Sequence, residues 1–439
     1  MKDITVIILA GGKSSRFWPL KDKLFVNFLG KPLLYYRLNQ LIRAGFSDIV
    51  IVHNQSNKNL FIRFQKDYPE FSFKLVNQTD PRGMAGAIIS AQETYVDKSI
   101  IVFKPLDLFE DILFMQFKEM LKKDPDNLLT GIAMKSYFPG GYITMENNSV
   151  KHIVEKPQKG KEPSNIVRLV FDYFKEPEVF YKFIKSAKSP HDDLYEVALE
   201  NMLVKGHKFN MMEYKGYWGY LQYPWHVLTM SENFLSKLKN HKGNNVRIAS
   251  SAVIKGYVYL DDNVTVLENA KIVGPTYIGR NTVIGNNNLV RNSMIGQNCV
   301  LGFGTEVTRS HIGNSCWFHT NYIGDSVIED NVGLGSGAVL ANFRLDEKTI
   351  SSFINSDKIN TNRNKLGAMI GENVRIGVNA SIMPGIKIGK NSYVSSGIVL
   401  DKDLAENQAC FIKGGYITSP NYQAALIDRR DNLKINLKI

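Results

Sequence analysis

Cysteine is scarce in this chain: three in 439 residues, Cys299, Cys316 and Cys410, widely spaced and with no CxxC. That excludes a disulfide framework and a thiolate zinc site as organising devices, and it favours a reducing compartment. A signal peptide is missing, as is any apolar run of the roughly 18 residues a membrane helix needs, so the sequence predicts a soluble, cytoplasmic protein with no membrane partner. Basic residues exceed acidic ones, giving a net charge of +12, yet they are scattered and never form a basic tract. A solvated surface and anionic small substrates account for the balance without nucleic acid. Two phosphate-binding patterns are absent as well. There is no GxxxxGK[ST], and GxGxxG fails because Lys13 and Ser14 follow Gly11-Gly12.

What is present is ordinary globular material, 44% hydrophobic and 22% charged, long enough for two cores. Over residues 1–240 strand and helix patterns alternate. Ile4–Leu9 reads as a buried strand, Pro32–Ala44 as an amphipathic helix with Leu33, Leu34, Leu38, Leu41 and Ile42 on one side, and Ile49–His53 as the next strand. Phe73–Val76, Ile100–Phe103 and Leu129–Met134 continue the strands; Met84–Tyr95 and Asp111–Lys122 are the intervening helices. The expected fold is α/β and Rossmann-like, a mostly parallel sheet with helices on both faces and ligands at the carboxyl ends of the strands. The first strand ends there in Gly11-Gly12, followed by the cations Arg16 and Lys23. Backbone N–H groups on a glycine turn plus two cations make a layout for a polyphosphate.

From about residue 245 to 405 the texture changes. An aliphatic residue falls on every sixth position: Ile254, Leu260, Val266, Ile272, Ile278, Ile284 and Val290, and again Ile370, Ile376, Ile382, Ile388, Val394 and Leu400. That period fits neither a helix nor an alternating strand, but it does fit a triangular parallel β-helix with one aliphatic per side turned inward. A polar stretch at about 343–366 interrupts the repeat and reads as an inserted loop of the kind that serves a binding face. Residues 406–439 read as a tail that caps the open end.

The opening stretch LAGGKSSRF…DKLFVNFLGKPLL resembles that of the sugar-1-phosphate nucleotidylyltransferases. The resemblance implies transfer of a nucleotidyl group from a nucleoside triphosphate to a sugar 1-phosphate. It makes Arg16 and Lys23 catalytic. Leu9, Gly11, Gly12, Gln78 and Gly83 would hold the nucleotide, and Asp107 would hold Mg²⁺. Gly141, Glu155, Lys156 and Glu196 would bind the sugar phosphate. Four positions depart from the pattern: Ser14 and Leu106 replace glycines, Met84 a threonine, and Tyr220 the aspartate that supplies a second metal carboxylate. A neutral phenol is no substitute for that carboxylate. A rival expectation therefore stands beside the first: a catalytically impaired paralogue that binds nucleotide sugar in a regulatory or assembly role.

The second part resembles the acetyltransferase half of bifunctional N-acetylglucosamine-1-phosphate uridylyltransferases, through Val290-Arg291, Gly302–Val307, His319–Ser326 and Gly335–Asn342. The resemblance implies a left-handed β-helix that uses acetyl-CoA. His319 would be the general base, since an imidazole titrates near neutrality, and Arg291, Tyr322 and Asn342 would bind the acceptor. Homotrimers assembled through the β-helix are the expected state. Thr308 and Gly333 depart from the pattern at a lysine and an asparagine.

Overall fold

The computed structural model describes residues 4–412. At its centre β1 (Ile4–Ala10) lies between β4 (Asp48–His53) and β6 (Ser99–Phe103), parallel to both, with β5 (Lys74–Asn77) beyond β4. Alternation along a strand sends neighbouring side chains to opposite faces, and each face of β1 is apolar. Val6 and Ile8 enter one hydrophobic core, Ile7 the other. The helices α1 (Leu33–Arg43), α2 (Lys58–Asp67) and α3 (Gly83–Ser90) connect these strands.

The sheet is mixed rather than mostly parallel. β11 (Ile166–Phe174) runs antiparallel to β6, and β8 (Asn127–Ala133), β9 (Gly141–Glu146) and β10 (Ser149–Glu155) extend the antiparallel wing. β12 (Asn210–Glu213) adds in parallel to β8. Two short antiparallel pairs stand apart: β2 (Asn27–Phe28) with β3 (Lys31–Pro32), and β7 (Asp107–Phe109) with β13 (Trp218–Tyr220). Helices α4 (Asp111–Leu121), α5 (Pro177–Ser186), α6 (Leu194–Val204) and α7 (His226–Ser236) complete this portion. The helix read as Met84–Tyr95 ends at Ser90 and passes into a 3-10 turn, Gln92–Thr94. On α1 the inner face differs from the expected one: Ile42 is exposed, whereas Arg37 is fully buried and donates to Gln40 Oε1 at 2.7 Å.

From His241 onward, strands of two or three residues stack into three parallel sheets, the three sides of the expected β-helix. Inward residues align in register, Leu260 on Ile278, then Ile295, Ile312 and Ile328. Nearly every aliphatic of the six-residue repeat is buried; Ile254 is exposed because its strand opens its sheet and has a neighbour on one side only. Asparagines at the turns adopt left-handed φ, which Asn tolerates better than other side chains. They hydrogen-bond from coil to coil in two ladders, Asn245–Asn263–Asn281–Asn298 and Asn331–Asn373–Asn391–Asn407.

The insertion is a hairpin, Ile350–Ile354 against Asp357–Arg363. Ile328 pairs with Ile370 across its base, so the stack continues as if the hairpin were absent. It folds back on the α/β portion: Ile350 and Ile354 join that core, and Arg363 Nη2 donates to Thr229 Oγ1 on α7 at 2.9 Å. Ala409–Cys410 pairs in parallel with Tyr393–Val394, so the coil persists past the expected start of the tail at 406. The rest of the expected tail, 413–439, lies outside the described residues.

One sheet of the β-helix turns its outer face to the α/β portion. Tyr277, Met294, His311, Val327 and Met369 occupy one outward column and are all buried. His311 packs edge-on against Phe28, with its Nδ1 2.9 Å from Ser231 Oγ.

Candidate active sites

β1 delivers the chain to Gly11 at the carboxyl edge of the sheet, where the backbone comes close to Gln78. A Cβ on Gly11 would sit 1.8 Å from Gln78 Oε1. Gln78 in turn donates from Nε2 to the carbonyls of Asp80 (2.8 Å) and Gly83 (2.9 Å). Gly83 has φ +53, a conformation that favours glycine, and a Cβ there would lie 2.1 Å from Asp192 Oδ1; at Gly11 a side chain would have to displace the Gln78 carboxamide. Ser14 also takes a left-handed conformation, φ 51, just before the 3-10 turn Ser15–Phe17; the position that is glycine in the pattern is conformationally demanding, and serine meets the demand here.

Two asparagines that sequence reasoning passed over tie the loop down. Asn54 Nδ2 donates to Gly11 O and Gly12 O at 3.2 Å each. Asn57 Nδ2 donates to Ala10 O (3.0 Å) and Asp22 Oδ2 (2.9 Å). Asp22 caps the turn that carries Lys23 by accepting from Leu24 N at 3.0 Å.

A cleft of about 1240 Å³ opens above this floor. Leu9, Gly11, Gly12, Arg16, Lys23, Gln78, Gly83, Glu155, Lys156 and Glu196 all line it, together with Lys104. Arg16 is exposed and Lys23 is buried. Burial, then the neighbouring Lys104 and Arg16, push the Lys23 ammonium down to about 8. Three cations crowded this way are stabilised by an anion placed among them. Lys104 was missed because a lysine three residues before an aspartate carries no signal until β6 aims it at the cleft.

Also lining the cleft, Glu155 and Lys156 form a pair at 3.1 Å. Gly141 does not line the cleft. It is Glu155's partner on β9, and a Cβ there would come 3.0 Å from Glu155 Oε2. Glu196 lies deeper, tied to Arg168, which also holds Asp172 at 2.6 Å. Tyr195 donates to the same Asp172 oxygen at 2.9 Å. Burial pushes Glu196 up to about 7 against the pull of Arg168. Arg168 itself, the buried centre of this group, sits mid-strand in an apolar run and gave no motif.

Asp107 is buried in β7. Its Oδ1 has no hydrogen-bond partner among the described residues; Lys104 Nζ stands 3.7 Å away. No three His, Cys, Asp or Glu side chains gather into a metal cage among the described residues. Asp107 does not itself line the cleft, although its neighbours Lys104 and Leu106 do; it offers one carboxylate of the one or two that an ion of the Mg²⁺ kind takes from protein, the remaining positions being filled by phosphate oxygens and water.

On the β-helix, His319 is exposed at a corner, with its main chain fixed: its N donates to Asn321 Oδ1 at 2.7 Å, and its carbonyl accepts from Thr305 Oγ1. The next side carries a polar network. Arg291 pairs with Glu306 at 2.6 Å. Tyr322 donates to Asn342 Oδ1 at 3.3 Å, and Asn342 Nδ2 donates to Asp325 Oδ2 at 2.5 Å. Arg309 grips both oxygens of Asp325 at 2.7 Å each. Thr308 is fully buried, and Arg309, with φ 47, turns out beside it. Across Gly333 lies Arg375, whose Cδ would be 3.1 Å from an added Cβ.

Residues 5–220 match the nucleotidyl transferase family model, and residues 367–402 match the hexapeptide repeat of succinyl-transferase. A bifunctional sugar-1-phosphate nucleotidylyltransferase/acetyltransferase of Sulfurisphaera tokodaii is 30% identical over 417 residues, covering 90% of this chain and 97% of that relative. The chain belongs to this family. Within it, a bifunctional protein GlmU of Methanocaldococcus jannaschii is 28% identical over 91% of this chain and 96% of its own length. Family membership makes the chain a transferase. Among its described residues no helix is long and apolar enough to cross a membrane.

Proposed function

We propose that this chain joins a nucleoside triphosphate to a sugar 1-phosphate, releasing pyrophosphate, and that its β-helix moves an acetyl group from acetyl-CoA to an amino sugar phosphate. The observation that carries the first activity is that one cleft is lined together by the cations Arg16, Lys23 and Lys104, by Gly11, Gly12 and Gln78, and by Glu155-Lys156. In-line attack by a sugar phosphate oxygen on the α-phosphorus develops charge on the departing pyrophosphate, and fixed cations stabilise it without reorganising. Leu9, Gly11, Gly12, Gln78 and Gly83 form the nucleoside side of the cleft. Glu155 accepts from sugar hydroxyls and Lys156 meets the sugar's phosphate, with Gly141 leaving Glu155 its room; Glu196 flanks them. Asp107 is the residue that would hold Mg²⁺, which when bound neutralises the triphosphate.

For acetyl transfer, His319 takes the proton from the attacking amine, while Arg291, Tyr322 and Asn342 hold the acceptor. We assign the nucleotidyl transfer domain to 1–240 and the acyltransferase domain to 245–405, working in the cytoplasm. The exposed outer-face side chains Trp317 and Tyr393 support packing between β-helices in a trimer. An impaired paralogue is the weaker reading, because its departures, Leu106, Met84 and Tyr220, leave the cations and the glycine floor intact.

The test is pyrophosphate release with Mg²⁺, each nucleoside triphosphate in turn and a panel of sugar 1-phosphates, alongside thiol release from acetyl-CoA with amino sugar phosphates. Release with one pair, lost in Lys23→Met, is expected. Nucleotide binding without release across the panel would return the balance to the impaired paralogue.

A further inference from the structure

The loop that carries Arg16 and Lys23 is held by residues of the β-helix. Its two 3-10 turns, Ser15–Phe17 and Lys23–Phe25, are too short to hold a conformation alone. Two anchors lie just before Lys23 in the chain, one from each portion of the molecule. Asp22 is gripped by Asn57 from within the α/β portion. The backbone N–H of Lys21 donates to Glu329 Oε1 at 2.5 Å. The side chain of Lys21 pairs with Glu372 at 2.6 Å and Asp330 at 3.4 Å. Gly371 lets the coil backbone touch the loop, since a Cβ there would lie 2.9 Å from the Pro19 carbonyl. Glu329 directly follows an inward isoleucine of the coil, so its backbone is as fixed as the stack.

We infer that Glu329, a residue of the β-helix, is a positioning residue for nucleotidyl transfer: by accepting the Lys21 N–H it sets the loop so that Arg16 and Lys23 face the cleft. This rests on the reading of the cleft as a nucleotidyltransferase site. It makes the β-helix a structural part of that site.

The experiment uses the full chain with Glu329→Ala and Glu329→Gln. In Glu329→Ala the KM for the nucleoside triphosphate should rise about tenfold while that for the sugar 1-phosphate stays within about twofold, since only the loop's cations lose their setting. Glu329→Gln keeps a carbonyl acceptor and should restore most of the loss. Acetyl transfer, which reports an intact β-helix, should be unchanged in both. Limited trypsin digestion gives a readout independent of turnover: cleavage after Arg16, Lys21 or Lys23 should accelerate in Glu329→Ala and return toward the wild-type rate in Glu329→Gln. A silent wild-type enzyme would defeat the reading of the cleft, and the digestion would still judge the clamp. Unaltered trypsin rates, or a KM that rises equally for both substrates, would overturn the inference.

Discussion

Tyr220 stands directly across from Asp107 in the antiparallel pair of β7 and β13, its ring packed among Phe138, Trp218 and His226. Burial raises its phenol further, so it stays neutral. The residue that would share a cation with Asp107 has become part of an aromatic cluster. The carboxylate it would have joined is still in place, buried, with Lys104 Nζ 3.7 Å from its Oδ1.

Restoring the pair should strengthen the metal. Tyr220→Asp is expected to lower the Mg²⁺ concentration at half-maximal pyrophosphate release about tenfold, by adding a second charged oxygen ligand. Asp107→Ala should abolish Mg²⁺-dependent nucleotide binding. A Mg²⁺ titration of each variant checks both; an unchanged midpoint in Tyr220→Asp would mean that position 220 does not reach the ion.

The two loop glycines should respond oppositely. Gly11→Ala drives a methyl into Gln78 and should cost roughly 2 kcal/mol. Gly12 has nothing within 4 Å of an added Cβ, and Gly12→Ala should be near neutral or slightly stabilising through the unfolded chain. Chemical denaturation without ligand compares them.

Lys23 sets binding against stability. Its folded value, about 8, lies below the ordinary 10.5. The folded chain therefore binds fewer protons than the unfolded one between these values, and stability rises with pH across that window. Below about 8 the penalty for keeping the charge is fully present. Lys23→Met should raise stability at pH 7 by on the order of 2 kcal/mol while weakening nucleotide binding. Wild-type nucleotide affinity should itself fall as pH passes about 8. Thermal unfolding and nucleotide titration across pH 7–10 measure both effects.

Arg168 holds two buried carboxylates, Asp172 and Glu196. Arg168→Met removes the cation from both, leaving Asp172 the Tyr195 hydroxyl and Glu196 no ion-pair partner, and should cost about 3–5 kcal/mol. Without the guanidinium the folded chain retains their protons to higher pH, so the loss should be greater at pH 8 than at pH 5. Urea midpoints at the two pH values decide the matter; a loss independent of pH would point to lost packing alone.

Legibility in the sequence followed how local each signal was. Gly11-Gly12, Glu155-Lys156 and His319 announced themselves by near neighbours in the chain, and the cleft brings the first two together. Arg168, Asn54 and Lys104 could not be found this way, because each acquires its partners only when separate strands meet. The helix α1 shows the same limit: periodicity placed Ile42 inside, whereas Arg37 is buried at a desolvation cost that Asp107 and Asp111 offset only in part.

The sequence by itself determined the β-helix, since an aliphatic on every sixth position has no other way to be buried together. It also determined the strand–glycine–cation opening of the α/β portion. Only the tertiary structure decided how the two portions meet. Tyr277, Met294, His311 and Val327 fall on the outward side of their coils, where the repeat leaves identity free, and they are buried because the α/β portion covers them. Contacts such as Lys21 to Glu329 join residues some three hundred positions apart, and no periodicity or motif in a single chain encodes a pairing at that range.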